Sequence, residues 1–391
     1  MSVERRGNTW VARWRDPDGK QRSKGGFKRK SDAESHQTAM RHSILAGSYI
    51  DPAAAKVTLK AYAEQWRTAQ VHRKGTASQI ETNLRLHVYP RLGARRIGGI
   101  RKSDVQGLVK ALVTGDDSHK PLAAGTVNLI YAWVSTIFKS AQQDRIISES
   151  PCHGVRLPQI EAVKIVPLKV EVVEALIESI PPRYRALLVL GAGTGVRISE
   201  ALGLTNDRID WLRRTMTVDR QLAGIVDNKP AFGPVKDRQN RPRTIPLPAV
   251  VLDALAEHVA QHGLGPQDLL FTGATGGPVR RTTFSDAWVA VAGPLGVPLG
   301  DGFHQLRHFY ASLLIHHGES VKVVQERLGH ASAMETLDTY GHLWPDSEDS
   351  TRQAIDSVLG VQQLDGVDIE AQNPEQADPT AALGPVGALS R

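Results

Sequence analysis

Between residues 57 and 150 the apolar side chains recur at helical intervals through four successive stretches: "TLKAYAEQWRTAQV", "ASQIETNLRLHVYPRLG", "RKSDVQGLVKAL" and "AAGTVNLIYAWVSTIFKSAQQDRII". The period then stops. "SPCHGVRLPQIEAVKIVP" carries three prolines and no repeat, which marks a linker. A chain with this break folds as separate units. The first is an all-helical domain over 57–155, with Ser103 and Asp104 at one helix start and Gly125-Thr126 at another. From 165 a larger domain extends to 360. It mixes helices such as "KVEVVEALIESI" with short strands at "RTMTVDR" and "RTIPLP". The tail, 361–391, has no period and is expected to be disordered. The fold class is therefore mainly α with small β-sheets.

Ahead of these domains lies a basic module, 1–55. Residues 1–30 carry Arg5, Arg6, Arg13, Arg15, Lys20, Arg22, Lys24, Lys28, Arg29 and Lys30 against Glu4, Asp16 and Asp18. That surplus of seven equals the net charge of the whole chain, +7. "TWVARWRDPDGKQRSKGGF" alternates apolar and basic residues about strong turn chemistry, so a small sheet with one basic face is expected, then a helix. Such a face suits double-stranded DNA. The single cysteine, Cys152, excludes a disulfide framework and a cysteine-built zinc site. No apolar run reaches membrane-spanning length, and the N-terminus lacks a signal-peptide core. A cytoplasmic protein with no membrane partner is expected.

Four stretches carry chemistry. "GTGVRISEALGL" lacks both the third glycine of a dinucleotide fingerprint and the Gly-Lys-Ser/Thr of a phosphate-binding loop. Its glycines instead allow close backbone approach, and Arg197 and Glu200 lie three apart, where a carboxylate fixes a guanidinium fork. "FGPVKDRQNRPRTIPLP" is expected to form a hairpin with a long polar turn carrying Lys236. "GFHQLRHFYASLLIHHG" puts His304 and Arg307 on one helix face. His304 and His308 also have zinc-pair spacing, but Gln305 stands where a metallohydrolase has Glu and no third ligand is evident, so no metal is expected. In "VQERLGHASAMETLDTYGHLWP", Gly329 ends a helix, His330 follows on a turn, and Tyr340 comes ten residues later.

Together these residues suit phosphodiester chemistry without metal or other cofactor. Arg197 and Arg307 would hold the non-bridging oxygens as negative charge grows on them. Tyr340 would attack. A phenol ionising near pH ~10 needs a base or a strong positive field. His304 is the candidate base or proton carrier, Lys236 the acid for the leaving oxygen, and His330 a hydrogen-bond partner of the phosphate.

The arrangement resembles the tyrosine recombinase (phage integrase) family. The resemblance covers about 57–345 through "TGVRISEAL", "VKDRQNRPRTIPL", "HQLRH", "LGH" and "LDTYGH". It implies catalytic residues Arg197, Lys236, His304, Arg307, His330 and the nucleophile Tyr340, supported by Glu200. Asp237 stands where the family commonly has threonine, so Lys229 and Arg238 stay open as alternatives to Lys236. The resemblance further implies a 3′-phosphotyrosyl intermediate without cofactor and an arm-binding N-terminal module. It implies a core-binding helical domain that clamps DNA opposite the catalytic domain. It also implies a homotetramer on two duplexes, accessory excision or bending proteins, and a helix at 347–360 docking on a neighbour. Two other readings remain: a type IB topoisomerase, and a DNA-binding regulator without catalysis.

Overall fold

The computed structural model describes residues 2–344, apart from 48, 52–53, 117–119, 162–163, 237–240, 299 and 301, together with 352 and 355–357. The helix expected over 347–360 (those four residues aside), the tail at 361–391, Asp237 and Arg238 lie outside the described residues. The chain divides into two compact units, Met1–Ala162 and Val163–Arg391.

The first unit opens with an antiparallel sheet of β1 (Ser2–Arg6), β2 (Thr9–Arg15) and β3 (Gln21–Phe27), in that order. Helix α1 (Lys30–Leu45) follows. Asp16 builds the β2–β3 turn, its carboxylate accepting from Lys20 N–H at 2.8 Å. Ala12 and Trp14 face inward, and Trp14 Nε1 donates to Tyr49 Oη at 3.1 Å. Of the basic residues, Arg5, Arg6, Arg15, Lys20, Lys24, Lys28, Arg29 and Lys30 are exposed. Arg13 and Arg22 are half-buried and turned into ion pairs, with Glu4 and with Asp16 and Asp51.

Next come α2 (Leu59–Ala69), α3 (Lys74–Asn83), α4 (Lys102–Thr114) and α5 (Ala124–Gln143). Their apolar faces form one core. On α5 it takes Val127, Ile130, Val134, Ile137, Phe138 and Ala141, one side of a helix. Two details differ from the sequence reading. The start of α4 is set by Asp104, whose carboxylate accepts from Arg101 N–H at 2.8 Å, so Arg101 rather than Ser103 stands at the cap. After α3 the chain widens into a π-helical segment, Leu84–Gly93, with Pro90 inside it. Proline lacks the N–H of an ordinary helical ladder, so a local change of register is the expected response. Cys152 is buried, which pushes its thiol up and keeps it unreactive.

The second unit begins with α6 (Val170–Ser179), α7 (Pro182–Thr194) and the short α8 (Ile198–Ala201). Gly195 closes α7 in the left-handed region at φ 64°, and a side-chain carbon there would meet the Tyr310 ring at 2.5 Å. A carbon on Gly191 would meet Phe303 at 2.5 Å. The glycine-rich corner therefore serves close packing, as the sequence allowed. Five strands follow: β4 (Ile209–Asp210), β5 (Thr215–Val218), β6 (Arg220–Val226), β7 (Lys229–Pro234) and β8 (Arg243–Pro246). They form two sheets, β4-β5-β8 and β6-β7. The hairpin expected over 232–248 is not formed. β7 pairs back with β6 through a tight turn at Asp227-Asn228, both at positive φ, and β8 pairs with β5. Helices α9 (Ala249–His262), α10 (Arg281–Ala292), α11 (His304–His316), α12 (Val321–Leu328) and α13 (Ala333–Tyr340) complete the unit. No described helix is long and apolar enough to cross a membrane.

Candidate active site

The second unit gathers the polar residues from distant parts of its sequence. Arg197 caps α8 rather than lying within it. Its backbone N–H donates to Glu200 Oε2 at 3.0 Å and its Nη1 to Oε1 at 3.1 Å. Its Nη2 donates to the Gly329 carbonyl at 3.3 Å. Glu200 is 4% exposed and is shared with a second cation, Arg243, whose Nη2 lies 2.6 Å from Oε2. Burial opposes ionisation of Glu200, but Arg243 and Arg197 outweigh it and hold the carboxyl at about 2. Arg243 also donates from Nε to the Arg327 carbonyl at 3.1 Å. It packs beneath Gly329, which ends α12 at φ 65°. Arg243 thus ties β8 to the turn that presents His330.

Arg307 is the most telling residue. It is 1% exposed on α11, and its Nη1 donates to the Gly195 carbonyl at 2.8 Å. Its Nη2 is buried without a hydrogen-bond partner. A buried guanidinium with an unused donor is costly unless a ligand completes it. Burial and the charge of Arg197 push Arg307 down to about 9, so it remains a cation at neutral pH.

Tyr340 ends α13 and is 1% exposed. Burial pushes its phenol up to about 12, while Arg307 and Arg197 pull the other way. The ring of His330 stacks on it at 6.2 Å and 9°. His330 Nδ1 is 2.8 Å from Thr336 Oγ1, and burial with Arg307 and Arg197 pushes the ring down to about 3. The partner of the Tyr340 hydroxyl is not His304, the candidate base from sequence, but His308, whose Nδ1 lies 2.9 Å from it. One helical turn separates the two histidines, which carries His304 to an outer cleft while His308 stays behind it.

That cleft, about 410 Å³, is lined by Arg197, Lys236 and His304 among others. Crowding of the ring, then His308 and the charges of Arg307, Arg197 and Lys236, hold His304 below the ordinary imidazole range. Lys236 is exposed two residues beyond β7. Lys229 begins β7, five strand steps or roughly 17 Å from its far end. Of the two lysines, Lys236 lines the cleft with Arg197, and Arg238 lies outside the described residues. No group of three or more metal-ligating side chains occurs among the described residues. Arg243 and His308 were not singled out by sequence as site residues. In the sequence Arg243 is one cation among several in "KDRQNRPR", and its spacing from Glu200 carries no local signal. In the sequence His308 stands out only through its zinc-pair spacing from His304.

Residues 167–346 match the phage integrase family. That region is a phage integrase family domain, and by it the chain is a tyrosine recombinase. It is 24% identical over 377 residues to a "Tyrosine recombinase XerC-like" protein of Caldanaerobacter subterraneus subsp. tengcongensis, across 88% of this chain and 94% of that one. Its fold is similar to the Tn1549 transposon integrase solved with a circular intermediate DNA, with TM-score 0.65, 22% identity and coverage of 77% of this chain and 99% of that chain. It is likewise similar to a lambda integrase tetramer bound to a Holliday junction, with TM-score 0.58, 17% identity and coverage of 89% and 98%. The recombinase fold accounts for the mainly helical architecture with small antiparallel sheets. It is a site-specific recombinase by family, and an enzyme.

Proposed function

We propose that this recombinase integrates a mobile element by cutting and rejoining double-stranded DNA through a 3′-phosphotyrosyl bond at Tyr340. The observation that carries the reading is Arg307. Its buried, unpartnered Nη2 lies in a site where its charge acts on the Tyr340 hydroxyl. A phosphate oxygen supplies what that nitrogen lacks. Arg197, oriented by Glu200, would take a second non-bridging oxygen, and losing one such donor slows comparable reactions by ~10²–10³. Neutral His330 would donate to the phosphate from the stacked ring. Lys236, exposed in the cleft, would protonate the leaving 5′ oxygen, with His304 beside it on the phosphate. Bond energy is conserved in the phosphotyrosyl link, so the reaction calls for no cofactor.

The reading extends to partners. The exposed cations of residues 1–55 would bind arm DNA and the helical domain, 57–155, core DNA. A homotetramer on two duplexes follows the assembly of the lambda neighbour, and the element type follows the Tn1549 one. We place the enzyme in the cytoplasm, where its DNA lies.

The test uses nicked suicide duplexes drawn from DNA flanking the enzyme's own gene, followed by peptide mapping of the adduct. Tyr340→Phe is expected to bind these duplexes as wild type does and to form no covalent adduct. An undiminished adduct yield in that variant would sink the assignment.

A further inference from the structure

The Tyr340 hydroxyl meets one protein group at hydrogen-bond distance among the described residues: Nδ1 of His308, at 2.9 Å. Both residues are buried, at 1% and 6% exposure, and their rings lie 5.7 Å apart. Charged or titratable groups from several elements stand about the pair, beside an apolar cluster that includes Ala311, Val324 and Leu328. His304 and Arg307 come from α11, Arg197 and Glu200 from the α8 corner, and His330 and Glu335 from the turn and α13. The His304 ring lies 4.7 Å from His308 on its cleft side.

We infer that His308, not His304, is the catalytic group that takes the phenolic proton of Tyr340 during cleavage and returns it on rejoining. The inference rests on the phosphotyrosyl reading above. In cleavage the Oη–H bond of Tyr340 breaks and its proton passes to His308 Nδ1 while the Oη–P bond forms. The P–O5′ bond breaks, and the 5′ oxygen takes a proton from Lys236. In rejoining a 5′-hydroxyl attacks phosphorus and gives its proton back to Lys236. The Oη–P bond then breaks and His308 reprotonates Tyr340.

Two features favour His308 for this task. A general base must lie within about 2.6–3.2 Å of the proton it removes, and His308 satisfies that while His304 faces the cleft. Burial pushes the phenol up to about 12, so the hydroxyl is ionised in only a minute fraction of molecules and an acceptor in contact matters.

The experiment measures single-turnover adduct formation on the same suicide duplexes. His308→Asn keeps a hydrogen-bonding group near the Nδ1 position but takes no proton. Its rate is expected to fall by ~10² or more, with duplex binding unchanged. His308→Ala is expected to be at least as slow and to regain rate with added imidazole, more so as pH rises and the free base increases. A His308→Asn rate within about twofold of wild type, or above it, overturns the proposal, the second result meaning that His308 merely parks the hydroxyl. Should the Ala variant fold poorly, the Asn variant decides alone. Failure of wild type to form any adduct overturns the functional reading and this inference together, whereas an active wild type with an equally active Asn variant overturns this inference only.

Discussion

The helical domain of the first unit and the α11–α13 region of the second bury their side chains by different rules. On α5 every buried residue is apolar. On α11 the buried set includes Gln305, Arg307 and His308 among Leu306, Phe309, Tyr310, Ala311 and Ile315. A helix of either kind excludes water from one face, but only the first gains stability from every residue it hides. An arginine loses far more hydration than a phenylalanine on burial, and packing alone does not return it. The difference teaches where stability was given up for chemistry.

The sharpest way to break that contrast is a pair of substitutions. Phe138→Ala empties a space in the helical core and is expected to lower unfolding stability by about 3–5 kcal/mol. The adduct rate per folded molecule should not change. Arg307→Met swaps a buried cation for an apolar chain of similar length, so stability should hold or rise, as buried ion-pair replacements often do by roughly 1–4 kcal/mol. Its cleavage should fall by at least ~10²–10³. Denaturant titration and the suicide-duplex assay read both axes. If Arg307→Met unfolds the protein as readily as Phe138→Ala, Arg307 is a structural residue and the contrast fails.

A second difference is pH dependence. The helical domain buries no carboxylate among its described residues, whereas Glu200 is buried between two arginines. Its carboxyl lies at about 2 when folded against an ordinary value of 4.5. A lowered folded value means that the stabilisation is complete above about 4.5 and is lost as pH falls toward 2. The amount is roughly 3 kcal/mol. Urea titrations between pH 6 and pH ~3 should therefore show an acid limb that Glu200→Gln removes. That variant should also be less stable at neutral pH, because two cations lose their shared anion. A limb that persists in Glu200→Gln assigns the effect to other carboxylates.

The same contrast explains what was legible in the sequence. The helical domain could be read because apolar period is a local signal, and residues such as Ile130 and Ile137 declare their face within a few positions. Arg197, Arg307, His330 and Tyr340 could be singled out as candidates because each sits in a short recognisable neighbourhood. Arg243 could not. Its partner Glu200 lies 43 residues away, and they meet only because β8 pairs with β5 and not with β7. That pairing was hidden by the Asp227-Asn228 turn, which has the required positive φ without the glycine that usually announces it. His308 was visible as a residue, but its role depends on which way one helical turn points, and the apolar pattern around it does not fix that.

The smallest expected effect gives the most discriminating test of the contrast. Thr58 caps α2 in the helical domain, accepting from Ala61 N–H at 3.2 Å, and Ser332 caps α13, accepting from Glu335 N–H at 3.3 Å. Removing either hydroxyl by Thr58→Ala or Ser332→Ala should lower stability by a similar ~1 kcal/mol. Their consequences for catalysis should differ. The helix α13 has eight residues and its last is Tyr340, so a loosened first turn leaves little hydrogen-bonded ladder to hold the phenol against His308. Ser332→Ala should slow adduct formation severalfold, and Thr58→Ala should leave it unchanged at matched folded fraction. Equal rates in the two variants would mean that packing of the Tyr340 ring, rather than the short helix beneath it, holds the nucleophile in place.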